Sequence, residues 1–122
     1  MDLIAFAPAP ATDLARAVDF YGSVLGLEHV ETNPFAAVFR AGPVMLRVTK
    51  VDALAPQPFT ILGWSVPDIR VTIADFASRG VEFTRYDGMP QDSLGVWTTP
   101  NGDQIAWFRD PDGNTLSLTQ FV

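Results

Sequence analysis

At 122 residues the chain has room for one domain, and 48% hydrophobic against 18% charged residues is the composition of a packed globule, not of a disordered segment. It has no cysteine and one histidine, His29, which excludes disulfides, thiolate metal ligands and a cysteine nucleophile and leaves at most one imidazole for chemistry. The net charge is -6, with seven arginines and one lysine scattered along the chain, so a surface that tracks nucleic-acid phosphates is not expected.

The opening stretch, 1–11, carries Asp2 where a secretory leader would be positive, and its apolar run is short. It is expected to be a first strand, and the protein to be cytoplasmic. Leu14, Ala17, Val18, Tyr21, Val24 and Leu25 then recur at helical spacing, which predicts an amphipathic helix over 12–25 with Thr12-Asp13 as cap and Gly26 as stop. Strands are predicted over 27–31, 35–40 and 44–50, separated by Asn33-Pro34 and Ala41-Gly42-Pro43. After a connection over 51–57 the pattern restarts with a strand over 59–66 and a helix over 68–79 whose inner stripe is Ile69, Ile73 and Phe76. Strands follow over 81–85, around Val96 and Trp97, over 104–109 and over 115–121, with Asn101-Gly102 marking a tight hairpin. No apolar stretch reaches the ~20 residues that a membrane span requires.

The two halves repeat each other. Asp13-Leu14 matches Asp68-Ile69 at an offset of 55, and farther on Phe39-Arg40 faces Phe108-Arg109 ahead of the last strand of each half. Two copies are too few for a solenoid, so each half is expected to bury one sheet face under its own helix. The chain is thus read as one α+β domain of two tandem βαβββ modules, about 1–50 and 58–122, forming a concave mixed sheet with a shared cleft.

Two segments, DLARAVDFYGSVLGL (13–27) and AWFRDPDGNTLSL (106–118), resemble the first helix and the terminal hairpin of the vicinal oxygen chelate superfamily. That group includes glyoxalase I, bleomycin-resistance proteins and extradiol dioxygenases. The resemblance runs nearly end to end and implies the two-module fold. Pro111 and Gly113 suit a turn, so 110–113 is read as structural and its carboxylates as turn chemistry.

Metal-using members of that superfamily place four ligands, His or carboxylate, on the first and last strands of the modules. Counting seven residues back from Asp13 and from Asp68 reaches Phe6 and Ile61; on the last strand Ser117 stands where a carboxylate would be. In the first half the matching position is Met45, Leu46 or Arg47. None of these supplies an imidazole or a carboxylate, so neither a metal nor any other cofactor is expected.

Period-two alternation puts Val44, Leu46 and Val48 on one face and Met45, Arg47 and Thr49 on the other; Leu116 and Leu118 alternate with Thr115, Ser117 and Thr119. The apolar sets belong under the helices, which leaves Arg47 and the hydroxyls for the cleft. An arginine there can hold a carboxylate or an enolate bidentately, or it can pair with a local acid at the rim. Trp64, Trp97 and Trp107 are candidate stacking surfaces, with Trp97 favoured because it adjoins the longest loop, 87–95, where Tyr86 and Met89 offer apolar contacts.

The function this implies is binding of a small molecule in the inter-module cleft without a metal, through Phe6, Arg47, Ile61, Trp97 and Ser117. The alternative is a metal-dependent lyase, isomerase or dioxygenase of the same superfamily with a rearranged site using His29 and Glu31 or Asp87. These residues leave open whether any reaction is catalysed. The expected partners are the ligand and a second copy of the chain in a homodimer.

Overall fold

The structure is a computed structural model that describes residues 1–10 and 13–122, the side chain of Pro10 excepted. The chain forms two compact units, Met1–Pro56 and Gln57–Val122. Each contains a four-stranded mixed sheet of the same strand order, in which the first strand pairs in parallel with the fourth and the remaining pairs are antiparallel. This is the topology of tandem βαβββ modules.

In the N-terminal unit, β1 (Ile4–Pro10), β2 (Glu28–Thr32), β3 (Ala36–Ala41) and β4 (Val44–Val51) lie in the order β1-β4-β3-β2. Alternation works as read: Leu46 and Val48 are buried with Phe39, and Phe39 packs against the Tyr21 ring at 5.8 Å. The first helix differs from expectation. Only Leu14–Ala17, α1, is α-helical, and the chain continues over Val18–Val24 as a π-helix, with the Leu25 amide donating to the Phe20 carbonyl five residues back at 2.9 Å. The buried set is Ala17, Tyr21 and Leu25, one residue in four. Thr12 lies outside the described residues, and Asp13 occupies the cap position without capping through its side chain; its carboxylate instead meets Arg16 at 3.3 Å.

In the C-terminal unit, β5 (Thr60–Ser65), β6 (Trp97–Thr98), β7 (Gln104–Arg109) and β8 (Thr115–Gln120) lie in the order β5-β8-β7-β6. The helix α2 (Ile69–Ser78) is capped by Asp68, whose Oδ1 accepts from the amides of Arg70 and Val71, and the Ile69 amide donates to Gln120 Oε1 on β8. Its inner stripe, Ile69, Ile73 and Phe76, is buried, with Phe76 edge-on to Phe108 at 5.7 Å. The strand expected over 81–85 is absent. Only Phe83 bridges to Phe108, because Phe83 turns its ring onto Phe108 and the chain then leaves the sheet for the long loop. Asn101-Gly102 does sit at the β6–β7 hairpin, but in a five-residue connection closed by Thr99 and Asp103 amide bonds and not in a two-residue turn.

The 110–113 turn is structural. Asp110 is 5% exposed; its Oδ1 accepts from the amides of Asp112 and Asn114 at 2.9 Å each, and its Oδ2 from Asn114 Nδ2 at 2.8 Å. Gly113 takes φ 86°, which L side chains avoid. Removing this buried carboxylate takes away the acceptor of all three bonds. Asp110→Ala is therefore expected to lower stability by about 1.5–3 kcal/mol, read as a lower urea midpoint at unchanged slope; an unchanged midpoint would contradict this role.

Candidate functional site

Each helix covers one face of its sheet, so the candidates are the side chains that the register sends to the other. In the N-terminal sheet Phe6, Arg47, Val38 and Glu31 form one row across β1, β4, β3 and β2 on the face away from Tyr21 and Phe39. Phe6 is 61% exposed and Arg47 half-buried. Among the described residues Arg47, like Lys50, Arg85 and Arg109, has no ion pair, whereas Arg16, Arg40, Arg70 and Arg79 pair with Asp13, Glu28, Asp92 and Asp75. The rim ion pair open to such an arginine is not made. One open-face position farther along β4, Thr49 Oγ1 is buried and has no hydrogen-bond partner among the described residues.

The register also decides among Met45, Leu46 and Arg47. Phe39 lies opposite Leu46 as Phe108 lies opposite Leu116, so Arg47 corresponds to Ser117. Phe6 is the neighbour of Arg47 on the first strand; the neighbour of Ser117 is Gly63. Ile61 lies in an irregularity of β5 between Thr60 and Leu62, half-buried. Gly63 has a local reason: a Cβ there would come within 2.6 Å of Ser117 Oγ, so the missing side chain makes room for the hydroxyl, and Ser117 is 8% exposed.

On the open face of the C-terminal sheet, Trp107 lies beside Ser117, and Trp97 lies beside Ile105. The two indoles stack at 6.2 Å and 27°, and Tyr86 meets Trp107 edge-on at 5.5 Å and 89°. All three rings are half-buried. Trp64 goes the other way and stacks on Phe108 at 6.3 Å beneath the helix. The signal that would have placed Trp107 was present in the sequence: it alternates with Ala106 and Phe108, both fully buried.

His29 lies opposite Phe39, with its ring 5.4 Å from that phenylalanine on the helix side, and its Nε2 is 2.7 Å from Thr32 Oγ1. Glu31, after a bulge, lies opposite Val38 on the other face. The two do not converge. Asp87 is exposed in the C-terminal unit.

A family model of the Glyoxalase/Bleomycin resistance protein/Dioxygenase superfamily matches residues 3–118. The chain belongs to that superfamily. Solved structures of similar fold include a glyoxalase family protein from Bacillus anthracis, with a TM-score of 0.77 at 16% identity over 100% of this chain and 95% of that one. A superfamily member from Sphaerobacter thermophilus DSM 20745 gives 0.73 at 23% over 99% and 98%. Lactoylglutathione lyase from Agrobacterium tumefaciens gives 0.71 at 21% over 98% and 94%. At these identities the likeness is one of fold. A search of curated proteins found no match.

The residues at the superfamily's metal-ligand positions do not fit a divalent cation. They supply a phenyl ring and a guanidinium in one sheet, and in the other a hydroxyl beside Gly63 and the alkyl chain of Ile61. Such ions take several oxygen or imidazole donors. Among the described residues, no group of three or more His, Asp or Glu could hold a metal.

The loop over 87–95 is held by Asp92, whose Oδ1 accepts from the Leu94 and Val96 amides and whose Oδ2 accepts from Arg70 at 2.6 Å. Burial acts to raise the Asp92 carboxyl, but the Arg70 hydrogen bond, the Val96 and Leu94 amides and the Arg70 charge hold it below the usual range. A lowered folded value means that Asp92 contributes stability above its ordinary value of 3.8, and that this contribution is lost as pH falls through the folded value. Asp92→Asn should therefore flatten the fall of stability on the acid side of about pH 5, measured by denaturant titration at a series of pH values. An equally steep fall would show that Asp92 does not carry that limb.

Proposed function

We propose that this superfamily member binds a small, partly apolar molecule with an anionic group, without a metal ion, and that its activity is binding. The observation that carries this reading is the unused polar capacity on β4. Among the described residues Arg47 makes no ion pair, in a chain whose acids outnumber its bases, and Thr49 Oγ1, next on the same face, has no hydrogen-bond partner.

A guanidinium presents a planar fork of donors that matches a carboxylate or an enolate in two parallel bonds. Beside Arg47, Phe6 offers an exposed ring that an apolar body can cover. In the other unit Trp97 and Ser117 lie on the sheet face away from Phe108, and Ile61 lies in the irregularity of β5 without a register partner. Few polar groups among apolar walls is the mixture that orients a ligand by one end. Neither a water-activating cation nor a lone imidazole enters this reading, because His29 lies on the helix side of its sheet with Phe39. A cytoplasmic location belongs to the same proposal; among the described residues no helix is long and apolar enough to cross a membrane.

The test is a screen of small metabolites and drugs by thermal shift and tryptophan fluorescence, followed by titration of the best anionic hit. Losing a charge-assisted hydrogen bond predicts that Arg47→Ala weakens that hit roughly ten- to a hundredfold. Arg16→Ala, on the exposed face of the first helix where it pairs with Asp13, should leave affinity unchanged. Equal binding by wild type and Arg47→Ala would remove Arg47 from the site.

A further inference from the structure

The segment between Phe83 and Trp97 is the longest stretch of the C-terminal unit without helix or strand, and long irregular segments are commonly lids. This one is tied at both arms. At its base the Thr84 amide donates to the Trp107 carbonyl at 2.7 Å. In its middle the side chain of Gln91 accepts from the Tyr86 amide at 2.7 Å and donates to the carbonyls of Thr84 at 3.0 Å and Gly95 at 2.9 Å. One amide thus fills three of its four hydrogen-bonding sites with backbone from both arms. The Gln91 backbone bridges to Trp97, and the guanidinium of Arg85 donates to the Asp92 carbonyl. The arms joined in this way carry Tyr86 and Trp97, the two rings in contact with Trp107.

We propose that Gln91 is a positioning residue that holds Tyr86 and Trp97 against Trp107 as a preformed aromatic platform, and that the molecule this platform takes is a flat aromatic ring system. The ligand part rests on the binding function proposed above and names its class. The positioning part does not depend on it.

The requirement for glutamine is chemical. Two of the three bonds need N–H donors and the third needs an oxygen, so neither a carboxylate nor an apolar side chain of the same length can make the set. The indoles are half-buried, so part of their aromatic surface stays available to a planar partner, and offset stacking of aromatic rings adds to what area burial alone supplies. A platform already held by its loop loses little freedom when a ligand arrives, which favours a rigid flat ring over a flexible chain. Asp92, bonded to Leu94, Val96 and Arg70, fixes the loop tip, so that Gln91 is free to set the separation of the arms.

The experiment reads the platform directly, without a ligand. Coupled indoles give an exciton couplet in far-ultraviolet circular dichroism, and Trp97→Phe and Trp107→Phe should each abolish it. In Gln91→Ala and Gln91→Met the couplet should fall by half or more while thermal unfolding stays cooperative; the methionine variant keeps the length if the alanine variant does not fold. An unchanged couplet in the folded variants would overturn the positioning role.

Titration with 2-naphthoate and with cyclohexanecarboxylate then reads the ligand class. Both carry a carboxylate, but only the first is flat and aromatic. Wild type should favour naphthoate by roughly two- to tenfold, and the preference should vanish in the Gln91 variants. Equal affinities for the two acids would overturn the flat-ring inference and leave the binding function standing. No binding of either acid by wild type would overturn the naphthoate prediction and count against the anion site, while the couplet still decides the role of Gln91.

Discussion

Everything on the open faces follows from two phenylalanines. Phe39 and Phe108 are fully buried in equivalent strands, each touching an aromatic ring of its own helix, Tyr21 in one unit and Phe76 in the other. Because side chains alternate across a strand, seating these rings under the helices sends Arg47 to the opposite face of one sheet and Trp107 and Ser117 to the opposite face of the other. A slip of one residue in either ladder would exchange the faces, placing a guanidinium in the core and leucines in solvent. The hydrophobic cost of that exchange is what fixes the chemistry of the surfaces.

That logic was largely legible in the sequence, since Leu46, Val48, Leu116 and Leu118 alternate plainly with polar neighbours and α2 carries its cap and stripe in order. What escaped has physical reasons. Eight residues separate Phe39 from Arg47 but nine separate Phe108 from Ser117, because the turn around Asp110 is one residue longer than the one around Gly42. That difference left the register of β4 open. Gly63 lies five residues before Asp68, while Phe6 lies seven before Asp13, so a fixed count led to Ile61. The π-helical stretch is a matter of backbone bonding that apolar spacing over so few turns does not separate from an α-helix. The contact of Tyr86 with Trp107 joins a segment without periodicity to a strand, and no local pattern announces it.

Superfamily membership and the residues of the site answer different questions. The fold is shared with relatives at 16–23% identity, yet the side chains at the ligand positions are a ring, a guanidinium and a hydroxyl. Fold carries the two open faces, and the residues on them decide what they can hold. A cation at Arg47 that makes no ion pair among the described residues suits an anion, and it opposes a bound divalent metal through charge repulsion where metal ligands are also lacking.

Metal-free binding on these faces is tested most directly by elemental analysis. Protein purified without an affinity tag or added metal, then dialysed, is predicted to carry far less than one divalent ion per chain while still binding its anionic ligand. About one Zn, Mn, Ni or Fe per chain, retained through dialysis and lost on replacing His29, would contradict the account.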